Sequence, residues 1–358
     1  MECVIKFLDN PKEFYEPGQK IKAQVVITFA KAEKVGKINC DILGYAKCRW
    51  TEDSGVGNSH YAEKNYAKDS FINQNFCLVE EVSGQTTEIP AGENVFEITY
   101  ALSPHLSTSF KCKNGSIKYK ILVSVDRPWK RKAKFDFPFT VIRPLNLNSE
   151  GDFIKNPMKE ELTKNFRLDF TSEPLYMSAS LPYGGFVPGQ TINVSIQANN
   201  QSKTHVKEIT ISLKKIVHLT CRKPKRKSKE LIISEAKVSA EAVPALTMKQ
   251  FEKRLVIPSL PPNITNCDVI QVQYELRVKA KTAGLSRSPK LKIPITIGTV
   301  PLDTIRPTLS RVNLLPPSYE EALRDAASGG DSSDGEAEFN PHYPVYEFEE
   351  GESSTQNR

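Results

Sequence analysis

The chain has 358 residues with 24 prolines, 18 glycines, only 4 methionines and 2 tryptophans, and an apolar share (AVILMFWYC) of 39%. That length allows two domains with real cores, the composition argues against a helical bundle, and the modest apolar share implies that part of the chain lies outside any core. The net charge of +7 hides a basic body, with 47 basic and 31 acidic side chains in residues 1–315, and an acidic tail, with 11 acidic and 2 basic ones in residues 316–358; such a body favours anionic partners without implying nucleic acid.

No apolar run approaches the ~20 residues of a membrane span. The opening stretch MECVIKFLDN has neither a charged leader nor a long apolar run, so no signal peptide is expected, and Glu2 excludes N-myristoylation. Seven cysteines without close pairs fit reduced thiols in the cytosol.

Along the chain the pattern is that of strands. Ile21, Ala23, Val25, Ile27 and Phe29 alternate with more polar neighbours, and Ile117, Tyr119, Ile121, Val123 and Val125 do the same. Later come Ile192, Val194, Ile196 and Ala198, then Ile270, Val272, Tyr274, Leu276 and Val278. Pro17-Gly18, Asn114-Gly115, Pro188-Gly189 and Pro261-Pro262 punctuate these runs as turns. Helical periodicity is weak and confined to residues 160–166 and 319–327.

The chain also repeats itself. Tyr15-Glu-Pro-Gly-Gln19 opens one strand and Phe186-Val-Pro-Gly-Gln190 another, each with Gly in the positive-φ position of a type II turn. Tyr119 is echoed by Tyr274, and Lys134-Phe-Asp-Phe-Pro-Phe-Thr-Val-Ile142 by Lys290-Leu-Lys-Ile-Pro-Ile-Thr-Ile-Gly298. Three matches in one order predict an all-β chain of two tandem immunoglobulin-like β-sandwiches, at residues 1–144 and 174–299. A polar linker is expected at 145–173 and a disordered acidic tail at 300–358.

Phe7-Leu-Asp-Asn10, Pro17-Gly-Gln19, Pro90-Ala-Gly92, Gly115-Ser-Ile-Lys-Tyr119 and Asp126-Arg-Pro-Trp129 resemble the α-arrestin (arrestin domain-containing) family. Leu260-Pro-Pro262, Asn266-Cys267, Val272-Gln-Tyr274 and Ile293-Pro-Ile-Thr-Ile-Gly-Thr299 extend the resemblance through the second domain. It implies two arrestin-like sandwiches and an adaptor role.

In the tail, Leu315, Pro316, Pro317 and Tyr319 form a P-P-x-Y sequence. The prolines are preset to polyproline II, which lies in the aromatic groove of a WW domain, and Tyr319 fills a neighbouring pocket. The resemblance then implies WW-domain HECT-type ubiquitin ligases as partners. Pro344 and Tyr346 form a degenerate second motif with one proline missing.

Two basic clusters are candidate contacts for anionic lipids or for acidic receptor or transporter tails: Arg127, Lys130, Arg131, Lys132 and Lys134, and Arg222, Lys223, Lys225, Arg226, Lys227 and Lys229. Trp129 is expected to pack and Arg127 to pair with a carboxylate. Without interleaved aromatics or a zinc pattern, the second cluster is not expected to bind nucleic acid. Ser332 and Ser333 are candidate sites for an acidophilic kinase. Cys267 is expected to be a packed thiol. The five histidines share no metal-ligand or catalytic spacing, so neither an enzyme nor a cofactor is expected.

These readings converge on a cytoplasmic adaptor, peripheral at plasma membrane and endosomes, that brings a ligase to membrane cargo for ubiquitination, endocytosis and endosomal sorting. The alternatives are an arrestin-fold subunit of a trafficking coat and a nuclear or signalling regulator without a ligase partner.

Overall fold

The computed structural model describes residues 1–10, 14–54, 61–80, 86–166, 173–283, 287–305, 309–315 and 339–348. It is an all-β chain of two sandwiches. In the first, a sheet of Glu2–Phe7, Lys20–Phe29 and Gly92–Ala101 packs on a larger one. The larger sheet runs in the order Phe14–Tyr15, Ala133–Val141, Gly115–Asp126, Lys37–Ser54, Tyr61–Val79, with Phe110–Cys112 paired to Gly115–Asp126. The second sandwich repeats the plan. Met158–Lys164, Leu175–Leu181, Thr191–Asn200 and Thr247–Val256 form one sheet; Gly185–Phe186, Lys290–Ile297, Ile270–Thr282, Val206–Cys221 and Lys227–Ala240 form the other.

The alternating residues fill the cores. Ile21, Ala23, Val25, Ile27 and Phe29 are all buried, as are the inward residues of Gly115–Asp126, Thr191–Asn200 and Ile270–Thr282. Each large aliphatic side chain so buried contributes about 1.5–3 kcal/mol.

The internal repeat is structural at every matched point. Gly18 and Gly189 take φ of +88° and +89°, as their turns require. The side-chain oxygens of Gln19 and Gln190 accept from the amides of Glu16 (2.9 Å) and Val187 (3.2 Å), closing each turn from within. The Tyr119 hydroxyl donates to the Ser107 carbonyl and that of Tyr274 to the Pro261 carbonyl, both at 2.7 Å in buried surroundings. Pro138 and Pro294 sit opposite Lys120 and Glu275, in strands whose other neighbour is a two-residue parallel strand. Neither sheet therefore loses a full row of ladder bonds to a missing N–H.

Two sequence expectations are corrected. The stretch 145–173 is not a plain linker: Met158–Lys164 pairs antiparallel with Leu175–Leu181 along its whole length, so it belongs to the second sandwich and is a strand, not a helix. It is an edge strand with mostly exposed side chains, so the backbone ladder holds it and the apolar alternation is faint. Nor is 300–358 disordered throughout. Leu309–Leu315 pairs antiparallel with Tyr343–Phe348, and residues 339–348 lie on the body of the molecule.

Candidate functional site

The tail segment 339–348 crosses from one sandwich to the other. Phe339, 5% exposed, lies beneath the Lys118 ammonium, 5.7 Å from the ring centroid, and the Lys111 ammonium donates to the Asn340 side chain at 3.1 Å. Tyr343 is 2% exposed and donates its hydroxyl to the Ser109 carbonyl (3.1 Å). These contacts are on the first domain. Three residues on, the strap reaches the second. The Tyr346 amide donates to the Pro188 carbonyl (3.0 Å) and its hydroxyl to the Thr299 carbonyl, while its ring joins a small core of Leu147, Ile154, Val187 and Leu302. Burial pushes the Tyr346 phenol up from its usual range. A Cβ on Gly189 would overlap the Tyr346 carbonyl, so this glycine serves both its turn and the passage of the strap.

The degenerate motif at Pro344 and Tyr346 is thus part of the fold. Its tyrosine is 8% exposed and hydrogen-bonded at both ends, so a WW pocket has no ring to receive. Within the acidic tail, the four aromatics Phe339, Tyr343, Tyr346 and Phe348, together with Pro341 and Pro344, are the sequence signal of a docked segment.

Leu315 closes the hairpin opposite Tyr343, so the two ends of the segment 316–342 meet at one point on the body. Pro316, Pro317, Tyr319, Ser332 and Ser333 lie outside the described residues.

The basic cluster at 222–229 is largely committed to the joint between the domains. Arg222 makes a two-pronged pair with Asp69 and lies 3.6 Å from Asp268. Lys227 bridges Glu63 and Glu52, and the Lys229 ammonium sits 5.9 Å from the Trp50 ring centroid. The hydrogen bond from Lys227 holds the Glu63 carboxyl below its usual range, and the Trp50 indole, helped by Lys227, does the same for Glu52; Lys227 is raised in turn. Around these pairs the Tyr66 amide donates to the Lys223 carbonyl at 2.9 Å, and the Cys48 thiol donates to the Thr220 carbonyl at 3.4 Å. Lys225 and Arg226, with the side chain of Lys223, remain exposed. Within the cluster, carboxylates across the joint pair with Arg222 and Lys227 and an indole ring lies near Lys229, while the Arg222 side chain stays about half exposed (49%).

The cluster at 127–134 is at the other end of the first domain. Arg127 lies 3.6 Å from Glu33 and Lys130 pairs with the same carboxylate, which the Lys130 hydrogen bond lowers. Arg131, Lys132 and Lys134 are exposed. Against the packing its sequence context predicts, Trp129 is wholly solvent-facing, at φ +59°. The tight turn that Pro128 imposes points the indole away from both sheets. Cys267 is buried, and its thiol is raised by desolvation.

Residues 3–148 match the family model described as the arrestin (or S-antigen) N-terminal domain, and residues 171–302 match that of the C-terminal domain. The chain is 26% identical over 306 residues to arrestin domain-containing protein 17 of Caenorhabditis elegans, covering 82% of this chain and 69% of that one. It is 25% identical over 337 residues to arrestin domain-containing protein 1 of Homo sapiens, covering 90% and 73%. Arrestin domain-containing protein 4 of Mus musculus is 24% identical over 303 residues, covering 82% and 71%.

Proposed function

The chain belongs to the arrestin domain-containing, or α-arrestin, family, and from that membership we propose that it is a non-enzymatic trafficking adaptor that recruits WW-domain HECT-type ubiquitin ligases through Pro316, Pro317 and Tyr319. The ligase then modifies a membrane receptor or transporter held by the arrestin domains, and the cargo is internalised and sorted through endosomes. The adaptor works in the cytoplasm, peripherally at membranes. The mechanism is effective concentration: ligase and cargo on one scaffold meet as tethered partners.

The observation that carries this reading is Pro316-Pro317-Ser318-Tyr319 directly after the paired strand that ends at Leu315. Proline ends a β-ladder, because it lacks the donor N–H, and favours the polyproline II form that a WW groove accepts. Ser332 and Ser333 stand in the same segment as acceptors for an acidophilic kinase. With Tyr346 buried, the tail offers one motif and not two, so binding lacks the avidity of a paired site.

The test is binding of the full chain to a tandem WW array from a HECT ligase, with and without Tyr319→Ala. Micromolar binding abolished by that substitution is the expected result. Binding that survives it, or no binding at all, overturns the ligase half of the reading.

A further inference from the structure

We propose that the turn carrying Trp129 is a membrane contact, with the indole seated at the headgroup level of an anionic bilayer and the surrounding lysines and arginines on its phosphates. The inference does not depend on the ligase motif, and its test contains no WW domain.

Four observations carry it. First, Trp129 is 105% exposed, against 3% for Trp50, the other tryptophan. An aromatic ring that large is not normally left in water without a partner. Second, the ring is held outward in the left-handed region at φ +59°, where an L-residue is strained. Glu33 braces the turn by pairing with Arg127 and Lys130 on either side of it, the Lys130 amide donates to the Arg127 carbonyl at 3.2 Å, and the Gly36 amide donates to the Asp126 carbonyl at 3.0 Å. The indole is therefore preorganised rather than loose.

Third, the surroundings are cationic. Arg131, Lys132 and Lys134 follow the tryptophan, and Lys31, Lys34 and Lys37 are exposed on and beside Glu33–Val35, the strand that braces it. The acidic groups there are fewer: Glu33, already paired, Asp126 beside the turn, Glu88 opposite Lys34, Glu80 at the strand end beside Lys37, and Asp136, paired with Lys120. A tryptophan ringed by basic residues matches a headgroup layer, where the ring spans the apolar boundary and the cations meet anionic lipid. Leu246 is the other described non-glycine residue at positive φ and is also exposed, but residues 244–248 carry no charge. Charge complementarity therefore separates the two tips.

Fourth, the site is remote from the joint with the second domain. The strand Gly115–Asp126 meets the second domain at its start, where Gly115 abuts Ile270 and Leu219, and ends at the turn. Twelve residues of strand set the tip roughly 35–40 Å from that joint.

The experiment uses the full chain with vesicles of phosphatidylcholine alone and of phosphatidylcholine with phosphatidylserine, followed by co-sedimentation and tryptophan emission. Binding to the anionic vesicles is expected, with a blue shift and with quenching by lipids brominated near the headgroup. Trp50 is buried and stays silent. Trp129→Ala should weaken binding about tenfold. Arg131→Ala with Lys132→Ala should weaken it about 25-fold, near fivefold for each cation. Both variants should keep the wild-type unfolding temperature, since none of the altered side chains is buried. Binding equal on neutral and anionic vesicles, unquenched emission, or a Trp129→Ala variant that binds like wild type would each overturn the proposal. So would a blue shift produced by a soluble acidic peptide and not by vesicles, which would make the tip a protein-docking site.

Discussion

Replacing Tyr346 by alanine should open the tail strap while leaving both sandwiches folded. The ring sits in a small core of Leu147, Ile154, Val187 and Leu302, separate from the main core, so its removal is felt mainly by the strap. Aromatic-to-alanine changes in packed sites cost about 3–5 kcal/mol. If the strap opens as one local unit, a loss of about 3 kcal/mol raises the open population, and with it the amide exchange rate, by about 150-fold. Tyr346→Phe keeps the ring and loses only the hydroxyl bond to the Thr299 carbonyl, for about 1 kcal/mol or roughly fivefold. Hydrogen exchange resolved over residues 309–315 and 339–348 is the assay, since the two stretches pair and should be released together. Tyr343→Ala should then give the same pattern, and in the double variant the two increases should multiply until the strap is fully open, because the rings sit in separate pockets. Equal exchange of 343–348 in wild type and Tyr346→Ala would mean that the segment is solvated in both, and the docking described above would be refuted.

Gly18→Ala and Gly189→Ala make a matched pair, since both positions have nearly the same positive φ and each substitution carries a left-handed penalty of about 1–2 kcal/mol. A Cβ at Gly18 meets nothing, whereas one at Gly189 meets the Tyr346 backbone, so only Gly189→Ala should reproduce the exchange signature of Tyr346→Ala. At the domain joint, Glu63 and Glu52 are lowered and Lys227 is raised. Their stabilisation should hold between about pH 4.3 and about pH 10.4, fading as acid protonates the carboxylates below the first value and as base neutralises the lysine above the second. Unfolding midpoints at pH 7 and pH 3 check this: Lys227→Met should lower the first more than the second.

The two sandwiches were legible in the sequence because each buries one face of every central strand. A period of two then marks runs such as Ile117 to Val125, and the repeat supplies the same turn glycine, glutamine and tyrosine twice. Met158–Lys164 was illegible for the opposite reason: an edge strand needs only its backbone ladder, and most of its side chains face solvent. The fate of the basic cluster at 222–229 was hidden because its partners are remote. Asp69, Glu52 and Glu63 lie more than a hundred residues away, and nothing local separates six cations in water from cations paired across a joint. Trp129 misled in the other direction, since a tryptophan after an alternating strand is usually packed and only the turn geometry turns it out.

Net charge also misdirects when it is asked what holds the tail. A body with 47 basic and 31 acidic residues, facing a segment 316–342 with 7 acidic side chains and one arginine, invites an electrostatic account of the fold-back. Two cations do touch the start of the docked stretch, the Lys118 ammonium over the Phe339 ring and the Lys111 ammonium on the Asn340 side chain, but the contacts that fix residues 343–346 are of another kind: two buried rings, two hydroxyls on carbonyls and a backbone amide on a carbonyl. Exposed ion pairs contribute about 0–1 kcal/mol and are screened, with the Debye length falling from about 10 Å at 0.1 M salt to about 3 Å at 1 M. Burying an aromatic ring is worth several times more and is not weakened by salt. Raising salt over that range should therefore change exchange protection at 343–348 by less than about twofold, while a strap held by charge would lose most of its protection. Collapse of protection at high salt would show that the rings are passengers and the acidic segment the anchor.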